Sequence, residues 1–380
     1  MELELTDSYR FSLIYTHEKT LAEKSLEISG DTIQQIGGRH SNSFDFRDRI
    51  AVPGFIDIHT HGIDGIDSYE LNKQSLKEWS ANLLERGTTG FVPTLVSAPV
   101  GRIRRFLNTV SGTMGEESGA EILGARLEGP YISPEKKGAH DASLLKRPSD
   151  GNYKLELLHR GNALRILDIA PELKGAQEMI RDLYEAGIVP SIGHTNCDYE
   201  TAQMGFTNGA RLITHMYNAM RAFNHRVPGL IDFAFLENRI YAEIICDFVH
   251  VSPEAIRMAV VNKGSEKLIL VSDSIHATGK PDGIYKLGTL SVEKQGERCT
   301  LAHTDTLAGS VLTLDKAVRN LNSIGIGLEA ISKMASTNPS KIMKRRDLGS
   351  IKKGNKADIT ILDKTLKVKG VIKRGKLVEF

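Results

Sequence analysis

Eight short apolar runs, each followed by a longer amphipathic stretch often closed by glycine, predict a (β/α)8 barrel of the TIM type. The two β-rich ends predict a small β-sandwich made jointly by both termini. A doubly wound open sheet competes with the barrel, but the notable polar residues fall just after the runs, where a barrel has its C-terminal rim.

The chain opens with short β-type segments and turn signals, Leu26–Ser29 before Gly30-Asp31 and Thr32–Ile36 before Gly37-Gly38. The barrel strands are then expected at Phe55–Thr60, Gly90–Val96, Gly124–Leu127, Leu164–Ile169, Val189–Gly193, Arg211–Thr214, Tyr241–Ile245 and Leu268–Ser272. Strands buried on both faces read as continuous apolar runs, as these do. Helices are expected at Leu71–Arg86, Gly175–Ala186 and Ser252–Lys263, stopping at Gly87, Gly187 and Gly264. Ser252 supplies an N-cap and Pro253 a first helical residue. The end repeats the β-type pattern at Ala357–Leu362, Lys367–Lys373 and Lys376–Phe380. Neither end can bury a core alone, so the expected division is 1–53 and 348–380 as one β-unit, with the barrel at 54–347 inserted between them.

Composition narrows the class. The 380 residues are 40% hydrophobic and carry 49 Lys and Arg against 47 Asp and Glu, without a basic block. Nothing calls for nucleic acid. Three cysteines, Cys197, Cys246 and Cys299, argue against a disulfide framework and for a reducing compartment, so a cytoplasmic location is expected. The acidic opening Met-Glu-Leu-Glu-Leu is unlike a signal peptide, and no apolar run approaches the ~20 residues that span a bilayer.

His59-Thr60-His61 ends the first strand, and alternation puts both imidazoles on one side of an extended segment, within reach of one metal ion. With 12 histidines in the chain, roughly 0.4 such pairs are expected by chance, so position is what raises this one. Further candidates follow other strands: Glu128 after the third, His194 after the fifth, His215 after the sixth and Asp273 after the eighth. Imidazoles and carboxylates are the ligands of Zn²⁺, Mn²⁺ or Fe²⁺, and unrelated structural roles would not select the same rim each time.

These residues resemble the amidohydrolase superfamily and, within it, the N-acetylglucosamine-6-phosphate deacetylases. The motifs are Pro53-Gly54-Phe55-Ile56-Asp57-Ile58-His59, Leu127-Glu128-Gly129-Pro130, Lys137-Gly138-Ala139-His140, Gly193-His194-Thr195-Asn196, Thr214-His215-Met216-Tyr217-Asn218-Ala219-Met220 and Thr306-Leu307-Ala308-Gly309-Ser310. The resemblance implies a metal-dependent hydrolase that releases acetate and glucosamine 6-phosphate, in amino-sugar catabolism and cell-wall recycling. It implies a principal metal site at Glu128, His194 and His215, and Asp273 as the acid/base. His59 and His61, which only some members keep, admit a second ion near Glu128. One or two divalent ions per chain are expected, Zn²⁺ first, with Fe²⁺, Mn²⁺ or Co²⁺ as alternatives. His250 is expected to help polarise the carbonyl. Ala139, His140, Asn218, Ala219, Arg226, His250, Leu307, Ala308 and Gly309 match positions that contact the sugar phosphate. Arg226 is the expected phosphate anchor, reaching the neighbouring site in a homodimer.

Phe248 stands where relatives commonly have glycine. The Lys-rich run from Lys364 to Lys376 reads as a solvated strand face, and Gly279–Gly283 as a turn rather than a phosphate loop. Two rival functions remain: an amidohydrolase of the dihydroorotase or hydantoinase type acting on a cyclic amide, and a non-catalytic scaffold on the same fold.

Overall fold

The computed structural model describes residues 6–16, 18–38, 44–158 and 163–380; the acidic opening, residues 1–5, lies outside them. In chain order the main strands are β1 (Thr6–Tyr15), β2 (Thr20–Ser29), β3 (Thr32–Gly38) and β4 (Phe44–Pro53). The barrel strands come next: β5 (Phe55–Thr60), β6 (Thr88–Val96), β7 (Ala125–Glu128), β8 (Leu164–Ile169), β9 (Val189–Ile192), β10 (Leu212–Ile213), β11 (Tyr241–Ile245) and β12 (Leu268–Val271). Then come β13 (Gly283–Leu287), β14 (Leu290–Gln295), β15 (Arg298–Leu301), β16 (Ile359–Leu362), β17 (Val368–Lys373) and β18 (Lys376–Glu379).

β5 to β12 pair in sequence order, every pair parallel. Closure is made just beyond the strand ends, where the Asp273 N–H donates to the His59 carbonyl at 2.9 Å and the His61 N–H to the Ser274 carbonyl at 2.7 Å. That seam brings the residue after the last strand against the pair that ends the first. The intervening helices behave as their end signals require. The Ser252 side chain accepts from the Ala255 N–H ahead of helix Pro253–Lys263, and Gly87, Gly187 and Gly264 take φ of 78°, 80° and 80° where helical segments stop.

The terminal β-unit is one seven-stranded sheet in the order β18-β17-β16-β4-β1-β2-β3, with the two chain ends joined where β16 pairs β4. It has its own core, including Tyr9, Phe11, Leu26, Ile33, Ile359 and Ile372. The sheet curls so that its two ends touch: a Cβ on Gly375 would lie 1.9 Å from the Gly30 carbonyl, so only glycine fits there. The Lys-rich run is not uniformly solvated. Lys373 is buried, its Nζ donating to Asp358 Oδ2 at 2.6 Å and to the Thr89 carbonyl at 2.8 Å, which ties the sheet to the barrel.

Gly279 has a positive φ of 79°, consistent with a turn. Beyond that turn, β13, β14 and β15 form an antiparallel sheet of their own that the sequence pattern does not predict, with Leu287 facing the barrel mouth. The last strand of this sheet receives the Ala308 N–H on the Cys299 carbonyl and so anchors the Leu307–Gly309 segment. All three cysteines are buried and free.

Candidate active site

His59 and His61 leave β5 on one side, and Glu128 ends β7. His194, His215 and Asp273 follow β9, β10 and β12 with φ of 48°, 23° and 51°. A left-handed backbone at a non-glycine residue costs about 1–3 kcal/mol, and here it occurs at three strand ends that turn ligand-type side chains toward one point.

Two groups result, sharing Glu128. In the first, the His194 Nε2 and His215 Nε2 each lie 3.0 Å from Glu128 Oε1 and 3.1 Å from one another. In the second, His61 Nε2 is 3.2 Å from Glu128 Oε2 and 3.1 Å from Asp273 Oδ1, while His59 Nε2 is 3.4 Å from both carboxylates. Asp273, expected as an acid/base, is therefore also in reach of an ion at the second group.

The donor set fits divalent metal. Ligand atoms about 2.0–2.1 Å from a tetrahedral ion lie about 3.3 Å apart, close to the separations in both groups. The His194 and His215 Nε2 atoms converge with Glu128 Oε1 on one point, where each can offer a lone pair to a cation. Asp273 Oδ1 and His59 Nε2 are buried without a hydrogen bond. Electrostatics agree: burial disfavours charge on His61, yet Asp273 and Glu128 raise its pKa to about 9. Burial likewise opposes ionisation of Asp273, but His59 and His61 hold its pKa down at about 2. The pocket calls for positive charge.

A cavity of about 430 Å³ opens over these groups. It is lined by His61, Glu128, Ala139, His140, His194, His215, Asn218, Ala219, His250, Asp273, Leu307 and Gly309, so most of the expected residues do converge. His59 lies beneath the cavity, fully buried, and Ala308 is buried behind its neighbours. Gly309, with φ of 57°, passes so close to the segment after β12 that a Cβ would lie 2.4 Å from Ile275 Cγ2.

Second contacts fix the lining side chains. His250 is held by Asp247, with Nδ1 2.6 Å from Oδ2, and the Val249 and His250 N–H groups both donate to Asp247 Oδ1. Phe248 takes φ of 67°, a conformation for which glycine is favoured, so this loop turn carries strain. The Asn218 amide donates to the His215 and Met216 carbonyls. His140 places Nε2 3.3 Å from Glu128 Oε2 and Nδ1 2.9 Å from Ser97 Oγ. Arg226 is exposed on the loop after Met220 and does not line the cavity of its own chain.

Sequence reasoning passed over Lys136, which lines the cavity and whose carbonyl meets His194 Nδ1 at 2.9 Å. Its adjacency to the Lys137–His140 motif was the available signal. It also passed over Arg126, Asp168 and Glu243, charged residues inside apolar strands that lie directly below the site.

A parallel barrel with this rim chemistry defines its class. The chain belongs to the amidohydrolase family, whose model matches residues 50–378. Its similar relatives include proteins named N-acetylglucosamine-6-phosphate deacetylase. The protein of that name from Bacillus subtilis is 37% identical over 339 residues, covering 87% of this chain and 85% of its own. The Vibrio furnissii protein is 35% identical over 346 residues, covering 90% and 86%. The solved Thermotoga maritima deacetylase superposes with a TM-score of 0.90 at 30% identity, over 98% of this chain and all of its own. A mutant of the Mycobacterium smegmatis enzyme, solved in complex with N-acetyl-D-glucosamine-6-phosphate, gives 0.92 at 28% identity, over 99% and 100%.

Proposed function

We propose that this chain hydrolyses N-acetylglucosamine 6-phosphate to glucosamine 6-phosphate and acetate. One observation carries the chemistry: two histidine and carboxylate groups share Glu128 at the floor of a cavity sized for a phosphorylated monosaccharide. Glu128, His194 and His215 would hold one divalent ion, and His59, His61, Glu128 and Asp273 a second. Zn²⁺ suits this nitrogen and oxygen set best. Such an ion supplies Lewis acidity, making water nucleophilic near neutral pH and drawing charge from the acetyl carbonyl.

The rest falls to the chain's own residues. Asp273 is ionised at neutral pH, so its carboxylate accepts the proton of the attacking water and returns it to the C2 nitrogen as the amide C–N bond breaks. Asp247 accepts from His250 Nδ1 and, against the opposing effect of burial, raises the pKa of the ring, so that the protonated imidazole has an Nε2–H to donate to the oxyanion of the tetrahedral intermediate. His140, Asn218, Ala219 and the Leu307–Gly309 backbone position the sugar.

Among the described residues Lys136 is the only Lys or Arg lining the cavity, so a guanidinium for the phosphate would come from a second chain. Arg226 stands on an exposed loop with Phe223 and Val227, two exposed apolar residues on either side of it. That arrangement supports a homodimer in which each Arg226 clamps the dianion in the neighbouring cavity. Among the described residues no helix is long and apolar enough to cross a membrane, and a cytoplasmic place remains part of this reading.

Substrate comparison tests the reading against its nearest rival. Purified protein is expected to turn over N-acetylglucosamine 6-phosphate far faster than N-acetylglucosamine, and to leave dihydroorotate and hydantoin untouched. Ring opening of either cyclic amide at a comparable rate would overturn it, and no turnover of any would favour the scaffold.

A further inference from the structure

Below the second group lies a buried ionic cluster that the proposed chemistry does not use. Arg126 on β7 is fully buried. Its Nε and one Nη grip Asp168 of β8 at 3.0 and 2.8 Å. Its guanidinium also donates to both oxygens of Glu243 on β11 and to the Ile58 carbonyl at 3.2 Å. Two carboxylates thus share one guanidinium in the barrel interior, where a charge without a partner costs several kcal/mol. The negative charge left over is directed toward the site: Glu243 Oε2 meets His59 Nδ1 at 3.1 Å. The same oxygen accepts the His215 N–H at 3.3 Å.

The direction of that contact is set by chemistry. The Arg126 guanidinium donates to both oxygens of Glu243, which fixes it as an acceptor at the His59 ring. A carboxylate only accepts, so His59 Nδ1 carries a hydrogen, and the neutral ring would offer its Nε2 lone pair to a cation held with Glu128 and Asp273. Arg126 at the same time grips the backbone carbonyl one residue before His59, fixing where the ring is rooted.

We propose that Glu243, clamped by Arg126, is a positioning residue that orients His59 and raises its affinity for a second divalent cation. Glu243 reaches no substrate and lines no part of the cavity. The inference rests on the reading of the mouth as a metal site and adds to it a chain-built preference for the second ion. With a cation bound at His59, Glu243 would be the outer partner of a carboxylate, imidazole and metal arrangement, a position whose removal commonly changes metal affinity about ten- to a hundredfold.

The test is a Zn²⁺ titration of metal-stripped full-length protein at chelator-buffered free concentrations, with bound metal counted by elemental analysis and folding followed by circular dichroism. The parent is expected to take up two ions. Glu243→Gln is expected to bind the first within threefold of the parent and the second ten- to a hundredfold more weakly. Asp168→Asn removes the other partner of Arg126 without touching His59, and is expected to leave the second ion within threefold. If Glu243→Gln does not fold, Glu243→Asp keeps the charge on Arg126 and draws the carboxylate back from Nδ1; it is expected to show the same split with a smaller loss. Second-ion binding unchanged in the Glu243 variant, or weakened equally by Asp168→Asn, overturns the positioning role and leaves the metal reading intact. A parent that binds one ion overturns both the role and the two-ion reading, while acetate release by that one-ion protein would preserve the deacetylase.

Discussion

Buried carboxylates occur at the barrel mouth and at the junction with the terminal sheet, and they are treated oppositely. At the junction Asp358 meets Lys373 Nζ at 2.6 Å and the Arg374 N–H at 2.8 Å, so the chain neutralises the charge itself. At the mouth the described residues that face the Glu128 and Asp273 carboxylates are imidazoles, held there by left-handed backbone at His194, His215 and Asp273, and no Lys or Arg among them closes the charge. A closed pair within the chain is a fastening. An open set turned toward a cavity is a site.

The sharpest way to break that contrast is His215→Ala. It removes a ligand from the group that shares Glu128, and is expected to lower bound metal and to abolish acetate release at least as completely as loss of the acid/base, with thermal stability of the metal-free protein little changed. Retention of full metal and activity would place the site elsewhere. Asp273→Asn keeps the shape and removes the proton acceptor, so turnover is expected to fall 10²–10⁴-fold while the protein stays folded; turnover within a few-fold of the parent would reject the role. Lys373→Met is the counterpart at the junction. It leaves Asp358 buried without its ammonium, and denaturant unfolding is expected to show a loss of about 3–5 kcal/mol with turnover of the folded protein preserved. The smallest effect belongs to Arg226→Ala. It is expected to lower kcat/KM for the phosphorylated sugar about ten- to a hundredfold, as a charged hydrogen bond of ~1.5–3 kcal/mol would, and scarcely to affect the unphosphorylated one. Mixing Arg226→Ala chains with Asp273→Asn chains should then restore activity on subunit exchange. Verified exchange without recovery would show that Arg226 does not serve a neighbour.

The barrel was legible because each of its strands is buried on both faces and so reads as an apolar run; Phe55–Thr60, Leu164–Ile169 and Tyr241–Ile245 fall where the sequence puts them. The rim residues were legible because a strand end is a fixed address in this fold. Pairings across the barrel were not. Arg126 meets Asp168 on the neighbouring strand and Glu243 three strands further on only once the sheet has formed, and each of the three sits singly in an apolar run where local pattern treats it as noise. Lys373 was misread for the same reason, because Asp358 and the Thr89 carbonyl reach it from other segments. The β13–β15 sheet escaped notice since its strands are partly exposed and short, and the turn before it reads as an ordinary loop.

The contrast between fastening and site comes down to whether the mouth works only with a cation in it. Acetate release from N-acetylglucosamine 6-phosphate should therefore be measured on one protein sample as isolated, after exhaustive chelation, and after return of Zn²⁺, Mn²⁺ or Co²⁺. Activity is expected to vanish on chelation, while circular dichroism stays that of the folded protein, and to return with the ion in proportion to the metal bound. Acetate release that persists in verified metal-free protein would contradict the account, because the histidines and carboxylates at the mouth would then be doing chemistry without the cation their geometry calls for.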